Sequence, residues 1–182
     1  MKVEINKSMK LSEHFTLGEL CKTKHDTEDG NIPSRVAIEN LKRICENWLE
    51  DLRYSYNMLY VHSGVRPQSK VAGDCTLAPD PGAAPETEEA IVINSGYRSP
   101  AVNLLAGGAK TSNHLSGCAV DIRCVGKEQM IRYASILLDI ADGTKQDYDE
   151  LLLEQHGNIC WLHFAVRPPS QGNRRKIDFL KG

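Results

Sequence analysis

Apolar residues recur at helical spacing through Ala37, Ile38, Leu41, Ile44, Cys45, Trp48, Leu49 and Leu52, a stripe that keeps one helix face against a core for about five turns. Pro33 suits the first turn of that helix, where its missing N–H costs nothing. Upstream, Thr16-Leu17-Gly18-Glu19 puts a hydroxyl at a cap and a carboxylate three residues on, a capping box that predicts a short helix fading near Thr23. Lys24 to Asn31 is polar and glycine-bearing, hence loop. A second amphipathic helix is predicted over Lys127–Asp142 on Met130, Ile131, Ala134, Leu137, Leu138 and Ala141, stopped at Gly143. Between the two, Met58–Val61 and Ala90–Asn94 read as strands, and Ser99-Pro100 opens a short helix that Gly107-Gly108 closes. Cys118–Cys124, Glu150–Gln155 and Ile159–Val166 complete the predicted strands. Helices and strands without regular alternation predict an α+β domain, with a small antiparallel sheet packed against helices.

The length, 182 residues, fits a single domain with a sizeable core. From His62 to Glu89 the periodicity fails, and Pro67, Pro79, Pro81, Pro85, Gly64, Gly73 and Gly82 crowd together. A loop that long in a compact domain is unusual. It reads as a Pro/Gly-rich insertion at 62–89, either a flap over a cleft or a surface excursion without a role.

Gly157-Asn158 between two apolar runs signals a two-residue hairpin. That turn fixes a register in which His156 faces Ile159, Glu154 faces Trp161 and Leu152 faces His163. Opposed residues share a sheet face and diagonal neighbours lie within reach, so Glu154 and His163 become diagonal neighbours. A loop one residue longer would set Glu154 against Cys160 instead.

Net charge is −2 with a pI near 6.3, which gives no electrostatic grip on nucleic acid or anionic lipid. No apolar run is long enough to span a bilayer. Met1-Lys2-Val3-Glu4-Ile5-Asn6-Lys7 is basic, but no hydrophobic stretch follows it, so synthesis without a signal peptide and retention in the cytoplasm are expected unless another system exports the product. Cys21, Cys45, Cys75, Cys118, Cys124 and Cys160 include no Cys-x-x-Cys pair. Without a secretion signal, reduced thiols serving as packing are expected, not catalytic thiolates. The basic stretch Arg174-Arg175-Lys176 reads as solvated.

Candidate chemistry lies in His114-Leu115-Ser116-Gly117-Cys118-Ala119-Val120-Asp121 and in Trp161-Leu162-His163. Two imidazoles and a carboxylate suffice to hold a catalytic zinc and leave one position for water. A seven-residue separation suits no single helix face. A turn at Ser116-Gly117, with Asp121 on the following strand, folds His114 and Asp121 toward one point. Spacing alone is weak evidence for this and also allows Asp121 as a surface strand residue and His114 as a turn cap. A carboxylate beside a metal-bound histidine, here Glu154, stands where a general base belongs.

The blocks SGYRSPAVN (95–103), GGAKTSNHLSGCAVDI (107–122) and WLHFAV (161–166) resemble the zinc D-alanyl-D-alanine carboxypeptidase and L-alanyl-D-glutamate endopeptidase family, whose members include phage endolysins and whose fold is shared with the hedgehog signalling domain. HFTLGEL (14–20) and the long helix after it resemble a subgroup found in bacteria and their prophages. The resemblance covers most of 12–166 apart from the insertion. It implies a hedgehog/DD-peptidase-like fold with a zinc cleft, and one zinc ion on His114, Asp121 and His163. It implies Arg98 as the group steadying a substrate carbonyl or carboxylate and Ser112 as a hydrogen-bonding member of the pocket. Tyr97 and Trp161, in the same blocks, are expected to contact substrate. Many relatives carry Asp or Glu three residues before the last histidine as the base. Cys160 stands there, and Glu154 is the expected substitute. Ser63-Gly64-Val65-Arg66-Pro67 echoes the first block, but lacks the strand before it and the helix start after it. His156 is expected to be an exposed turn residue.

The expected function is hydrolysis of an amide bond in peptidoglycan stem peptides by a monomer, of D,D-carboxypeptidase or L-Ala-D-Glu endopeptidase type, with a prophage endolysin among the identities that fit. The alternative is a catalytically impaired cell-wall-binding or phage structural module of the same fold, and a cytoplasmic dipeptidase acting on free D-alanyl-D-alanine is a third reading.

Overall fold

The computed structural model describes residues 6–61 and 88–182. The insertion at 62–89, except its last two residues, the Arg66 motif and Cys75 therefore lie outside the described residues. Helix α1 (Leu17–Leu20) is capped as its sequence predicts, with Thr16 Oγ1 accepting from the Glu19 N–H and Glu19 Oε2 from the Thr16 N–H, both at 3.4 Å. Helix α2 (Arg35–Ile44) begins after Ser34, whose Oγ accepts from the Ala37 N–H at 3.2 Å. Ser34 is the cap, so Pro33 precedes the helix instead of occupying its first turn.

The helix does not stop at Ile44. It continues through a wider π-helical stretch (Cys45–Leu49) into α3 (Glu50–Tyr56) and a second π-helical stretch (Asn57–Val61). The predicted stripe is buried as expected at Ala37, Leu41, Ile44, Cys45, Trp48, Leu49 and Leu52. Met58–Val61, expected as a strand, is helical. No glycine or proline interrupts the helix there, and Asn57 fastens its end through Nδ2 to the Arg53 and Glu89 carbonyls and Oδ1 to the Glu89 N–H.

The sheet has five strands in the order β1-β2-β4-β3-β5: β1 (Ile93–Ser95), β2 (Ala119–Cys124), β3 (Glu150–His156), β4 (Ile159–Ala165) and β5 (Lys176–Lys181). Strand β1 is shorter than predicted and begins three residues later. β5 runs parallel to β3, so the sheet is mixed and not wholly antiparallel. The hairpin register is the predicted one, with His156 opposite Ile159, Glu154 opposite Trp161 and Leu152 opposite His163.

Period-two alternation sorts these strands onto two faces. Val120, Ile122, Leu151, Leu153, Leu162 and Phe164 bury one face against α2, α3 and α5 (Gly126–Thr144). Trp48 and Phe164 pack there with ring centroids 4.9 Å apart. Helix α5 buries Met130, Tyr133, Ala134, Ile136, Leu137 and Ala141, whereas Ile131, expected inward, is exposed. It also passes through Gly143 and ends on Lys145 in the left-handed region. The opposite sheet face carries Asp121, Arg123, Glu150, Leu152, Glu154, Trp161 and His163.

Candidate metal centre

Two short elements deliver the residues of that face. Ser99 caps helix α4 (Pro100–Leu105) at the Val102 N–H, with Pro100 at its first position. The preceding loop, Gly96–Arg98, is pinned by buried Asn31, whose Oδ1 accepts from the Ser99 N–H and whose Nδ2 donates to the Tyr97 and Cys21 carbonyls. A side chain at Gly96 would run into the Leu20 carbonyl oxygen. Here the Gly96 carbonyl accepts from His114 Nδ1.

His114 lies on a single 3-10 turn (Asn113–Ser116), whose cap Ser112 accepts from the His114 N–H at 3.3 Å. Gly117 follows with φ 69° and lets the chain reverse into β2. A Cβ there would strike the Ala37 carbonyl, so both the left-handed backbone and the close approach call for glycine. The turn expected at Ser116-Gly117 thus closes the seven-residue gap between His114 and Asp121.

On the sheet, Asp121 lies opposite His163. Its Oδ1 meets His163 Nδ1 at 2.9 Å and His114 Nε2 at 3.3 Å, while Oδ2 meets an Arg98 guanidinium nitrogen. One donor atom from each of His114, Asp121 and His163 lies within 4.8 Å of the other two, and all three residues are buried. Bonds of about 2.0–2.1 Å to a tetrahedral zinc put ligand atoms about 3.3 Å apart, close to what Asp121 makes with each imidazole. With Nδ1–H given to the Gly96 carbonyl, His114 turns the lone pair of Nε2 inward, the tautomer a metal ligand needs. Donor chemistry, tautomer and spacing therefore fit one divalent cation.

Burial works against ionising Asp121, but His114 and His163 overcome it and hold the carboxyl well below the usual carboxylate range. His163 is the counterpart. Burial opposes its proton, yet Asp121 and Glu150 outweigh burial and raise the imidazole to about 9.

Two carboxylates flank His163 diagonally on β3, and their surroundings differ. Glu150 is held by Arg174 and Asn113, and its Oε2 lies 3.6 Å from His163 Nε2. That is an ionic contact, too long for a hydrogen bond. His163 outweighs burial, with help from Arg174, and keeps Glu150 below its usual value. Glu154 forms no hydrogen bond or ion pair among the described residues. Burial raises its carboxyl; the charges of Asp121 and Glu150 add to this, and those of His163 and Arg98 offset only part.

Arg98 reaches the centre with Nε donating to Ser95 Oγ at 2.8 Å. Trp161, opposite Glu154 and Arg123, forms a half-buried apolar border. Ser112 stands at the centre as the cap of the His114 turn. Tyr97 belongs to the hydrophobic core at 7% exposure, and the loop is held by its backbone, through Asn31 and Leu20. His156 is exposed. Cys160 lies on the core face, opposite Cys124 and turned away from the metal residues. The five described cysteines are free and buried, and burial raises the thiols of Cys21 and Cys124 to about 12, the opposite of what a reactive thiolate needs.

No motif or spacing in the sequence marks Asn31, Asn113, Asp149 or Glu150. Arg174 is not the merely solvated residue that the basic stretch predicts. Instead it grips the buried Asp149 through Nε at 2.8 Å and Nη2 at 2.6 Å, and leads into β5. A run of basic residues gives no sign of which one meets a buried carboxylate. The acidic signal was there in Asp147, Asp149 and Glu150, just before β3.

Residues 86–147 match the family model described as Peptidase M15, the family that the ordered sequence blocks resemble. The match includes Arg98, His114 and Asp121 and ends before β3, leaving Glu150, Glu154 and His163 beyond it. No match is found among curated proteins. No helix among the described residues is long and apolar enough to cross a membrane.

Proposed function

We propose that the protein is a zinc-dependent peptidase that hydrolyses an amide bond in the peptide stems of bacterial cell wall. The observation that carries this reading is the convergence of His114 Nε2, Asp121 Oδ1 and His163 Nδ1 on a sheet face that also presents Glu154. The Peptidase M15 match over 86–147 supports the substrate class at the level of the family.

His114, Asp121 and His163 would hold the metal, with the Gly96 carbonyl fixing the first imidazole. Zinc in such a site supplies a Lewis acid for the scissile carbonyl and brings the pKa of water toward neutrality. Glu154 takes the proton of the attacking water and returns it to the leaving amine. With no hydrogen bond or ion pair among the described residues, it is free for that exchange, and its raised pKa places the carboxyl nearer the working pH than an ordinary glutamate. Arg98 offers a planar fork of donors to a substrate carbonyl or terminal carboxylate. Ser95 and Asp121 hold that fork at the edge of the metal residues. Ser112 keeps the His114 turn capped. Trp161 borders the site as an apolar contact for the stem peptide, and Tyr97 anchors the Arg98 loop from the core.

Incubating the zinc-loaded protein with purified peptidoglycan and with synthetic stem peptides, then identifying new amines by mass spectrometry, tests the reading. Release of one defined amine, lost on chelation and regained with zinc, is expected. No release from any wall type by protein that holds zinc would reject the peptidase assignment and favour a wall-binding module.

A further inference from the structure

Among the described residues, the most heavily bonded acidic group is not a proposed ligand or base. It is Asp149, at the threshold of β3, with a fully buried side chain. It accepts from Arg174 three times, through the backbone N–H at 3.2 Å, Nε at 2.8 Å and Nη2 at 2.6 Å. Asn113 Nδ2 donates to it at 2.9 Å, and Arg167 Nε pairs with it ionically at 3.0 Å. A buried carboxylate so fully matched holds its partners in fixed places. What it fixes is Arg174, whose Nη2 also reaches Glu150 Oε1 at 2.9 Å.

Glu150 faces the metal residues with its other oxygen. Oε2 accepts from Asn113 Nδ2 at 3.0 Å and stands 3.6 Å from His163 Nε2. His163 Nδ1 is turned to Asp121, so Nε2 is the ring nitrogen left over. An imidazole that ligates through one nitrogen carries its hydrogen on the other, and that N–H is usually given to a carboxylate or carbonyl, which sets the ring plane. Glu150 is the carboxylate facing it. Asn113 directly precedes His114, so one cluster reaches both histidine-bearing elements.

We propose that Glu150 is a positioning residue for His163, held in place by Arg174 and Asp149, so that the segment leading into β5 forms part of the metal centre. This rests on the reading of His114, Asp121 and His163 as the zinc site. It assigns different duties to the two carboxylates beside His163: Glu150, committed to Arg174 and Asn113, orients the ring, and Glu154, with no hydrogen bond or ion pair among the described residues, is left for proton transfer. Strand β5, with all six residues exposed, begins two residues after Arg174, and the Lys176 N–H at its start donates to the Asp149 carbonyl.

The test is zinc affinity by chelator competition, with the visible absorption of the cobalt(II)-loaded protein as a report on ligand geometry. Wild type, Glu150→Gln, Arg174→Ala and, as a control at the far end of β5, Lys181→Ala are compared, with thermal unfolding as a check on folding. Glu150→Gln and Arg174→Ala are expected to weaken zinc binding by about 10–100-fold, the usual cost of losing an outer-shell partner, and to shift the cobalt spectrum. Lys181→Ala should change neither. If both site variants unfold at lower temperature yet keep wild-type affinity and spectrum, the cluster is only structural and the proposal falls. Should Glu150→Gln fail to fold, Arg174→Ala decides: its side chain is 46% exposed, and Asp149 keeps Arg167 and Asn113 as partners when it is removed. Failure of the wild type itself to bind zinc would overturn the peptidase reading and this proposal together.

Discussion

Replacing Glu154 by glutamine conserves shape and removes a proton acceptor from the face that holds His114, Asp121 and His163. No hydrogen bond or ion pair is lost with the charge, because among the described residues the carboxylate makes none. The expected loss is catalytic: a positioned general base contributes about 10²–10⁴-fold, or about 2.7–5.5 kcal/mol of barrier. Zinc content should not change, since Glu154 is not among the converging donors. Stability should move the other way. Burial raises the folded-state pKa, so the folded chain holds this proton more tightly than the unfolded one. The stability this contributes is complete below the unfolded value of about 4.3 and is lost as pH rises through the folded value. In metal-free protein, Glu154→Gln should therefore unfold at a higher temperature than wild type at about pH 7, with the gap closing below about pH 4. Turnover of a stem peptide followed by chromatography, metal analysis and calorimetric scans at the two pH values supply the readouts. A zinc-replete variant that keeps more than about a tenth of wild-type turnover, when a base is worth at least about 10²-fold, would refute the role given to Glu154.

Three other perturbations probe the supporting geometry. Gly117→Ala puts a side chain at φ 69° against the Ala37 carbonyl; a cost of about 1–2 kcal/mol and weaker zinc binding are expected although no ligand is altered, and unchanged affinity in a chelator titration contradicts the positioning of His114 by that turn. Asp121→Asn leaves Arg98 and two imidazoles around an uncharged group, so metal-free protein should lose about 3–5 kcal/mol at about pH 7. Because the carboxyl of Asp121 is held low, its stabilisation is present above the unfolded pKa and lost as pH falls, so the difference in denaturant midpoint should shrink in acid; a pH-independent difference argues against it. His163, raised to about 9, carries a proton at neutral pH that the metal must displace. Calorimetric zinc titrations in buffers of different ionisation enthalpy should report about one proton released near pH 7 and none well above the folded pKa; no release at neutral pH contradicts that protonation state.

Much of this arrangement was legible in the chain because local chemistry decided it. The Thr16 capping box, the stripe from Ala37 to Leu52 and the Ser99-Pro100 helix start each carry their own signal. Gly157-Asn158 goes further, since a two-residue turn fixes a register that sets Glu154 diagonal to His163. The convergence of His114 and Asp121 depended on a left-handed glycine, which spacing could suggest but not secure. What stayed hidden depended on tertiary contacts. Met58–Val61 has strand-like residues, but nothing stops the helix that enters it. Gly143 was a plausible helix stop that the packing of Tyr133, Ile136 and Ile140 overrides. Strand β5 is exposed throughout and pairs in parallel with β3, so neither burial nor a hairpin turn marks it. The partners of Arg174 became visible only once β3 and the C-terminal segment lay side by side.

Anomalous diffraction at the zinc absorption edge, from crystals of the zinc-loaded protein, tests the metal assignment most directly. One peak is predicted at about 2.0–2.2 Å from His114 Nε2, Asp121 Oδ1 and His163 Nδ1. A peak on other residues, or none in protein saturated with zinc, would contradict it.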